Sequence, residues 1–297
     1  MNAFFRTISM ITLLAVATTA NAQSSDDDQL KLAAMEALIS APPGRALPLA
    51  RKVLEGTHSD ELKERALFVL SQIDSAEAQE LLVATAKNAQ GELREEAIRM
   101  IGISGNQDAL AQLGDLYSTG DRDLRDAVLE AYLIADDRES VFTLAANAQD
   151  EAEFEAAVDM LGAMGAKEEL RQLRDRAEYS ERWIDAIAIS GDIEILRELA
   201  MDGSNLERQA QAIEAMGIVG GDEVDSTLVD IYRAATSEKI REAALDGMLI
   251  ADNDDGVLAL YRSSTNAAEK KELLQYLIMM DSDEIWNIID ATLEGTD

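Results

Sequence analysis

LRDAVLEAYLIADD at Leu124–Asp137 and IREAALDGMLIADN at Ile240–Asn253 are near-copies of one another. The same opening recurs at shorter range. Leu62-Lys63-Glu64 returns as Leu93-Arg94-Glu95 and again as Leu124-Arg125-Asp126, each time after 31 residues. A fixed period in this range signals one supersecondary unit stacked in a row. Such a unit cannot bury its apolar face alone, so neighbours supply the missing core and leave a long surface behind.

Within one period the pattern is helical. Leu93, Ala97, Ile98 and Ile101 fall at i, i+4, i+5 and i+8, a single stripe of a helix, with Glu95, Glu96 and Arg99 on the other side. Gly105-Asn106 breaks the helix, and Ala109, Leu110, Leu113 and Leu116 build a second stripe that Gly120-Asp121 ends. Two helices joined by a short turn form an αα-hairpin. No run of alternating β-branched and aromatic residues bounded by hairpin turns occurs, so strands are not expected.

The three prolines, Pro42, Pro43 and Pro48, predict the end of an opening helix over about Gln29–Ile39 and the start of a second near Arg45. Units are then expected at residues 60–90, 91–121, 122–151, 152–180, 181–205, 206–237 and 238–267, with a closing pair over Glu269–Leu293. AISGD at Ala188–Asp192 echoes GISGN at Gly102–Asn106, and VDMLGAMG at Val158–Gly165 echoes IEAMGIVG at Ile213–Gly220. Alanine and glycine recurring at matching positions suit close helix–helix approach between units.

The motif L/I-R-[DE]-x-A followed by a turn and a second amphipathic helix resembles the HEAT-repeat family, in the short HEAT-like form first named for phycobilin lyases. The resemblance covers most of residues 60–267 and is weaker over 152–207. It implies an all-α fold, a right-handed α-solenoid of stacked antiparallel helix pairs. It also implies a ladder that links units through a basic residue in one helix and an acidic residue in the turn. Lys63, Arg94, Arg125 and Arg241 match the basic position, Asp60, Asp123 and Glu238 are the acidic candidates, and Gly91 departs from the pattern. The family includes both non-catalytic scaffolds and chromophore lyases with related modification factors, so two functional readings stand side by side.

Residues 1–22 carry Arg6, an apolar stretch from Ile8 to Ala17, and Ala20-Asn21-Ala22 as a small-residue cleavage site. That order marks a secretory signal peptide cleaved after Ala22, and the bacterial periplasm is the expected destination. Residues 23–28 read as a flexible acidic lead-in, and residues 29–297 as a solenoid of about eight or nine helix pairs. No later stretch is apolar enough to insert stably in a bilayer. The chain has no cysteine, which excludes disulfides, thiol chemistry and cysteine-ligated metal.

With 58 acidic and 26 basic residues the net charge is −32. Such a surface repels nucleic-acid phosphate and attracts cationic partners. In the family the helix opening with L/I-R lines the concave side. Its exposed positions, two and six residues after the leading one, lie one helical turn apart. They are Glu64 and Phe68, Glu95 and Arg99, Asp126 and Glu130, Glu155 and Asp159, Ala210 and Glu214, Glu242 and Asp246. This column of carboxylates is either a docking face for a protein with a basic patch or an ordinary solvated face.

No catalytic, cofactor-binding or metal-binding constellation emerges. His58, the single histidine, lies in a turn, and Ser59 and Asp60 beside it do not make a triad. Asp252–Gly256 (DNDDG) approaches a calcium loop, but alignment by its glycine puts Ala251 and Arg262 at ligand positions. Trp183, Tyr132, Tyr179 and Phe142 are expected to fill gaps between helices, and Trp286 to seal the closing helix with Ile285, Ile288 and Ile289.

Overall fold

A computed structural model describes residues 26–176, 181–282 and 284–294. The signal-peptide reading of Met1–Ala22 with its cleavage site, the start of the lead-in at Gln23–Ser25, and Tyr179 all lie outside the described residues. Every regular element among those described is an α-helix, and the chain is an all-α solenoid of helix pairs. It divides into two compact units, one ending at Val69 and one beginning at Leu70.

The first unit holds α1 (Asp26–Leu38), α2 (Pro43–Glu55) and most of α3 (Asp60–Ser71). α1 opens ahead of the expected Gln29, so Asp28 lies in its first turn, where the helix dipole favours a carboxylate. α2 begins at a proline, whose missing N–H is an orphan at that position in any residue. Met35, Ala46, Leu47, Ala50, Leu62, Ala66, Leu67 and Val69 form the buried apolar set.

The second unit is a run of pairs. They are α4 (Ala76–Asn88), then α5 (Glu92–Ser104) with the broken α6 (Gln107–Leu110) and α7 (Leu113–Thr119), then α8 (Arg122–Ala135) with α9 (Arg138–Asn147). α10 (Glu151–Ala163) pairs with the short α11 (Lys167–Gln172), α12 (Glu181–Ser190) with α13 (Ile193–Met201), and α14 (Leu206–Val219) with α15 (Asp222–Ala234). α16 (Glu238–Ala251) with α17 (Asp254–Ser263), and α18 (Ala267–Met279) with α19 (Ile285–Glu294), complete it.

One device joins the helices of most pairs. A residue in the left-handed conformation closes the first helix, and the next residue caps the second. Gly105 takes the left-handed position at φ 62°, and Asp136, Asp252 and Asp281 adopt it at φ 52°, 59° and 53°. The side chains of Asn106, Asp137 and Asn253 then accept the N–H three residues on, at 3.0, 3.1 and 2.9 Å. The DNDDG stretch is therefore a helix junction.

Spacing between successive first helices is set by two positions. A Cβ added at Gly102 would lie 2.6 Å from the carbonyl oxygen of Ala131, one at Gly162 would lie 2.9 Å from Cα of Ala186, and one at Gly217 would lie 2.2 Å from the carbonyl oxygen of Gly247. No side chain fits in these places, so α5 and α8, α10 and α12, and α14 and α16 meet backbone to backbone. At the equivalent positions α8 and α10 present Leu133 and Met160, and α16 and α18 present Leu249 and Tyr276. Those two pairs approach each other much less closely. Ala188 and Ala215 give the α12–α14 joint an intermediate spacing.

Candidate interaction surface

The basic positions close helix ends. The last turn of a helix leaves carbonyl groups without partners. Arg94 Nε donates to the carbonyl of Ala86 at 2.9 Å, and Arg125 Nε to that of Tyr117 at 3.2 Å. Arg125 also stacks over the Tyr117 ring and pairs with Glu153 of the next helix pair at 2.7 Å. Arg241 stands close enough to Glu272 and Tyr232 to oppose the upward shift of both. Lys63 is half-buried on α3.

In the middle units the same duty passes to other residues. Phe154 occupies the arginine position, and Arg176 lies over its ring and donates to the carbonyls of Ala146 and Ala148 at the end of α9. Gln209 takes the position at the start of α14 and donates to the carbonyl of Ala200 at 2.7 Å. Between α11 and α13, Arg171 grips Asp192 with two bonds of 2.6 and 2.7 Å and reaches Glu194 at 2.9 Å. Asp192 is only 2% exposed, and the Arg171 bonds hold its carboxyl below the usual range despite burial.

Most of the residues predicted to form the acidic column lie on the solvent side of α5, α8, α10, α14 and α16, but their partners differ. Arg99 bonds Glu96 at 2.6 Å and reaches Glu130 at 3.8 Å, and Arg122 reaches Asp126 at 3.8 Å. Glu95 and Glu155 are half-buried and Glu242 is exposed. Ala210 is buried and presents nothing to solvent. Glu64 and Phe68 lie on α3 in the first unit, both half-buried.

Further along, carboxylates follow one another. Asp159 pairs with Arg182 at 3.4 Å. Asp185 on α12 is raised by burial and by Asp159 and Glu181, with Arg182 opposing. Glu214 on α14 is raised by burial, then by Asp246, Asp185 and Glu181. Asp246 on α16 accepts the Tyr276 hydroxyl at 2.6 Å. Asp159, Asp185, Glu214 and Asp246 thus form one row in which each charge feels its neighbour. Asp185 and Glu181 were missed from sequence, although the AISGD echo supplies their register when counted back from Gly191.

The cavities are open clefts. One of about 540 Å³ lies between the spread helices α8 and α10, with Arg122, Arg125, Asp126, Glu153, Asp159 and Arg182 on its walls. Among the described residues, no three His, Asp or Glu side chains converge at metal-binding spacing. His58 lies against Gly56 in its turn. Trp183 is fully buried and donates Nε1–H to the carbonyl of Leu170 at 2.8 Å, and the Tyr132 hydroxyl donates to Leu110 at 3.3 Å. Phe142 is half-buried. Trp286 departs from the sequence reading. It is 70% exposed, because Ile285 and Ile288 turn inward and one helix face cannot bury all three.

The fold of the described residues is an α-solenoid of stacked helix pairs. A family model described as HEAT repeats matches residues 47–133, and that stretch is HEAT-repeat sequence. No curated protein matches the chain. Among solved structures, the chain is similar to the complex of CpcE and CpcF of phycocyanin lyase from Nostoc sp. PCC7120, at 18% identity and TM-score 0.35, over 80% of this chain and 94% of that one. It is also similar to human deoxyhypusine hydroxylase in complex with glycerol, at 15% identity and TM-score 0.31, over 76% of this chain and 98% of that one. An engineered protein follows at 17% identity and TM-score 0.26, over 80% and 96%. No described helix is long and apolar enough to cross a membrane.

Proposed function

We propose that this chain is an exported, non-catalytic scaffold of the bacterial periplasm that binds a protein partner along the carboxylate face of α5–α16. The row Asp159, Asp185, Glu214 and Asp246 is the observation that carries the reading. Like charges held this close raise one another's proton affinity, and a cationic partner relieves that repulsion. The open clefts support a binding surface over an enclosed reaction chamber. The ordered signals in Met1–Ala22 support export. Lys63, Arg94, Arg125 and Arg241 are structural in this account, since Arg94 and Arg125 spend their donors on carbonyls at helix ends.

The test is affinity capture at low and moderate salt, comparing wild type with a variant reversed in charge at Asp159, Asp185, Glu214 and Asp246. The reading expects salt-sensitive capture of a cationic partner that the variant loses. Identical capture by both proteins would contradict it.

A further inference from the structure

Three of the four carboxylates of the row, Asp185, Glu214 and Asp246, have an isoleucine one helical turn further on, whereas Asp159 has Ala163 there. Ile189 follows Asp185, Ile218 follows Glu214 and Ile250 follows Asp246, each by four residues, and i, i+4 positions share a helix face. These isoleucines are 48%, 38% and 47% exposed. An exposed isoleucine by itself means little, since single apolar side chains are common on protein surfaces. A row in one register on three successive helices is different, because contiguous apolar surface marks an interaction site.

Members of both rows line one groove. Glu181, Asp185, Glu214, Ile218 and Ile250 line an open depression of about 370 Å³ across α12, α14 and α16, with the buried Ile184 at its base. Two cations stand at its margin and both are engaged, Arg182 with Asp159 and Lys239 with Glu207. The backbone contact of Gly217 on Gly247 holds α14 against α16, so Ile218 and Ile250 are presented side by side from rigid helices.

We infer that α12, α14 and α16 form a docking site for an amphipathic protein segment that sets lysine or arginine beside apolar side chains. The inference rests on the scaffold reading and narrows it to one place and one ligand chemistry. Apolar side chains of the segment cover the isoleucine row, and its cations face the carboxylate row. The apolar contact supplies affinity, and the charges supply orientation and approach rate. The same register on α5 and α8 carries Ile103 and Ile134. There Arg99 already bridges Glu96 and Glu130, so a cationic segment meets a compensated surface.

The test uses the full chain and three labelled synthetic peptides. One carries leucine and lysine at helical spacing, one has glutamine for lysine, and one has serine for leucine. Fluorescence anisotropy is expected to show the leucine–lysine peptide binding at least about tenfold tighter than either control. Ile218→Ser with Ile250→Ser should weaken it about tenfold, as should Asp185→Lys with Glu214→Lys, whereas Glu95→Lys with Glu130→Lys should change it by less than about twofold. Unaltered melting temperatures establish that the variants fold, and Ile250→Ala replaces the serine pair if that one does not. Binding that survives the isoleucine changes overturns the inference. So does binding lost only on reversal at Glu95 and Glu130, although the scaffold reading then stands. Indifference to both charge reversals overturns the scaffold reading itself.

Discussion

The α14–α16 joint and the α8–α10 joint are built from the same repeat and differ in almost everything that faces solvent. At the first, Gly217 on Gly247 brings two backbones together, and the carboxylates Glu214 and Asp246 come within range of each other. At the second, Leu133 and Met160 stand where small residues would be, the helices spread, and the gap becomes a cleft crossed by the Arg125–Glu153 pair. One position per helix therefore decides the spacing, and neighbouring charges decide whether the exposed face is compensated. A repeat can keep its fold and vary its surface because these choices are made on different helix faces.

The sharpest way to break this comparison is to give both joints the same side chain. Gly217→Ala should cost about 2–3 kcal/mol, because its new methyl group meets the Gly247 carbonyl and α14 must move. Met160→Ala at the spread joint should cost less than about 1.5 kcal/mol, since the residue is half-buried and the site tolerates lost volume. Urea denaturation midpoints measure both, and equal losses would deny that the joints differ.

Arg125→Ala removes the bond to the Tyr117 carbonyl, the stacking on its ring and the Glu153 pair. About 1–2 kcal/mol should be lost, discounted for the partial exposure of the guanidinium. Thermal unfolding checks this, and peptide binding at α12–α16 should not change with it.

The pH dependence distinguishes the two kinds of carboxylate. Asp185 and Glu214 are raised by burial and by neighbouring carboxylates, so the folded chain holds their protons more tightly than the unfolded one. Stability from these groups rises as pH falls through their folded values, and the gain is complete near the unfolded carboxylate range, about 4. Asp192 is lowered by Arg171, and its contribution, present above the unfolded carboxylate range, is lost as pH falls through its folded value, below about 4. Melting temperature should therefore rise and then fall on acidification. Asp185→Asn with Glu214→Gln should reduce the rise, to which Glu96, Asp159, Asp225 and Glu272 also contribute, and leave the fall.

The smallest expected effect lies at the left-handed caps. Asp136→Gly after α8 and Asp252→Gly after α16, two helices that each have one close and one spread neighbour, should each stabilise the chain by about 0.5–1 kcal/mol. The two gains should match, because the cap is common to both joints. Paired melting curves measure the difference.

The fold was legible because it repeats. Leu93, Leu124 and Ile240 put the helix starts in register, and Gly105-Asn106 with Asp252-Asn253 marked the junctions. Regularity also hid what departs from it. Arg176 takes over the helix-end contact from a position outside the motif, and Gln209 fills the motif position without a charge, so the middle units read as merely weak. Asp185 escaped because no L-R pair opens α12. Trp286 misled because an apolar residue in a helix gives no sign of which neighbour will turn inward. The isoleucine row escaped because aliphatic residues at helical spacing read as core, and exposure is a tertiary fact. Spacing between helices was half legible, since small residues recurred in sequence but their backbone contacts appear only once the helices pack.

The most direct measurement exploits a chain without cysteine. Ile189→Cys and Ile103→Cys, labelled with a polarity-sensitive dye, report on the same register of α12 and α5. On titration with the leucine–lysine peptide, the account predicts a blue-shifted, saturable response at Ile189→Cys and little change at Ile103→Cys. An equal response at both positions, or a response at Ile103→Cys alone, would contradict it.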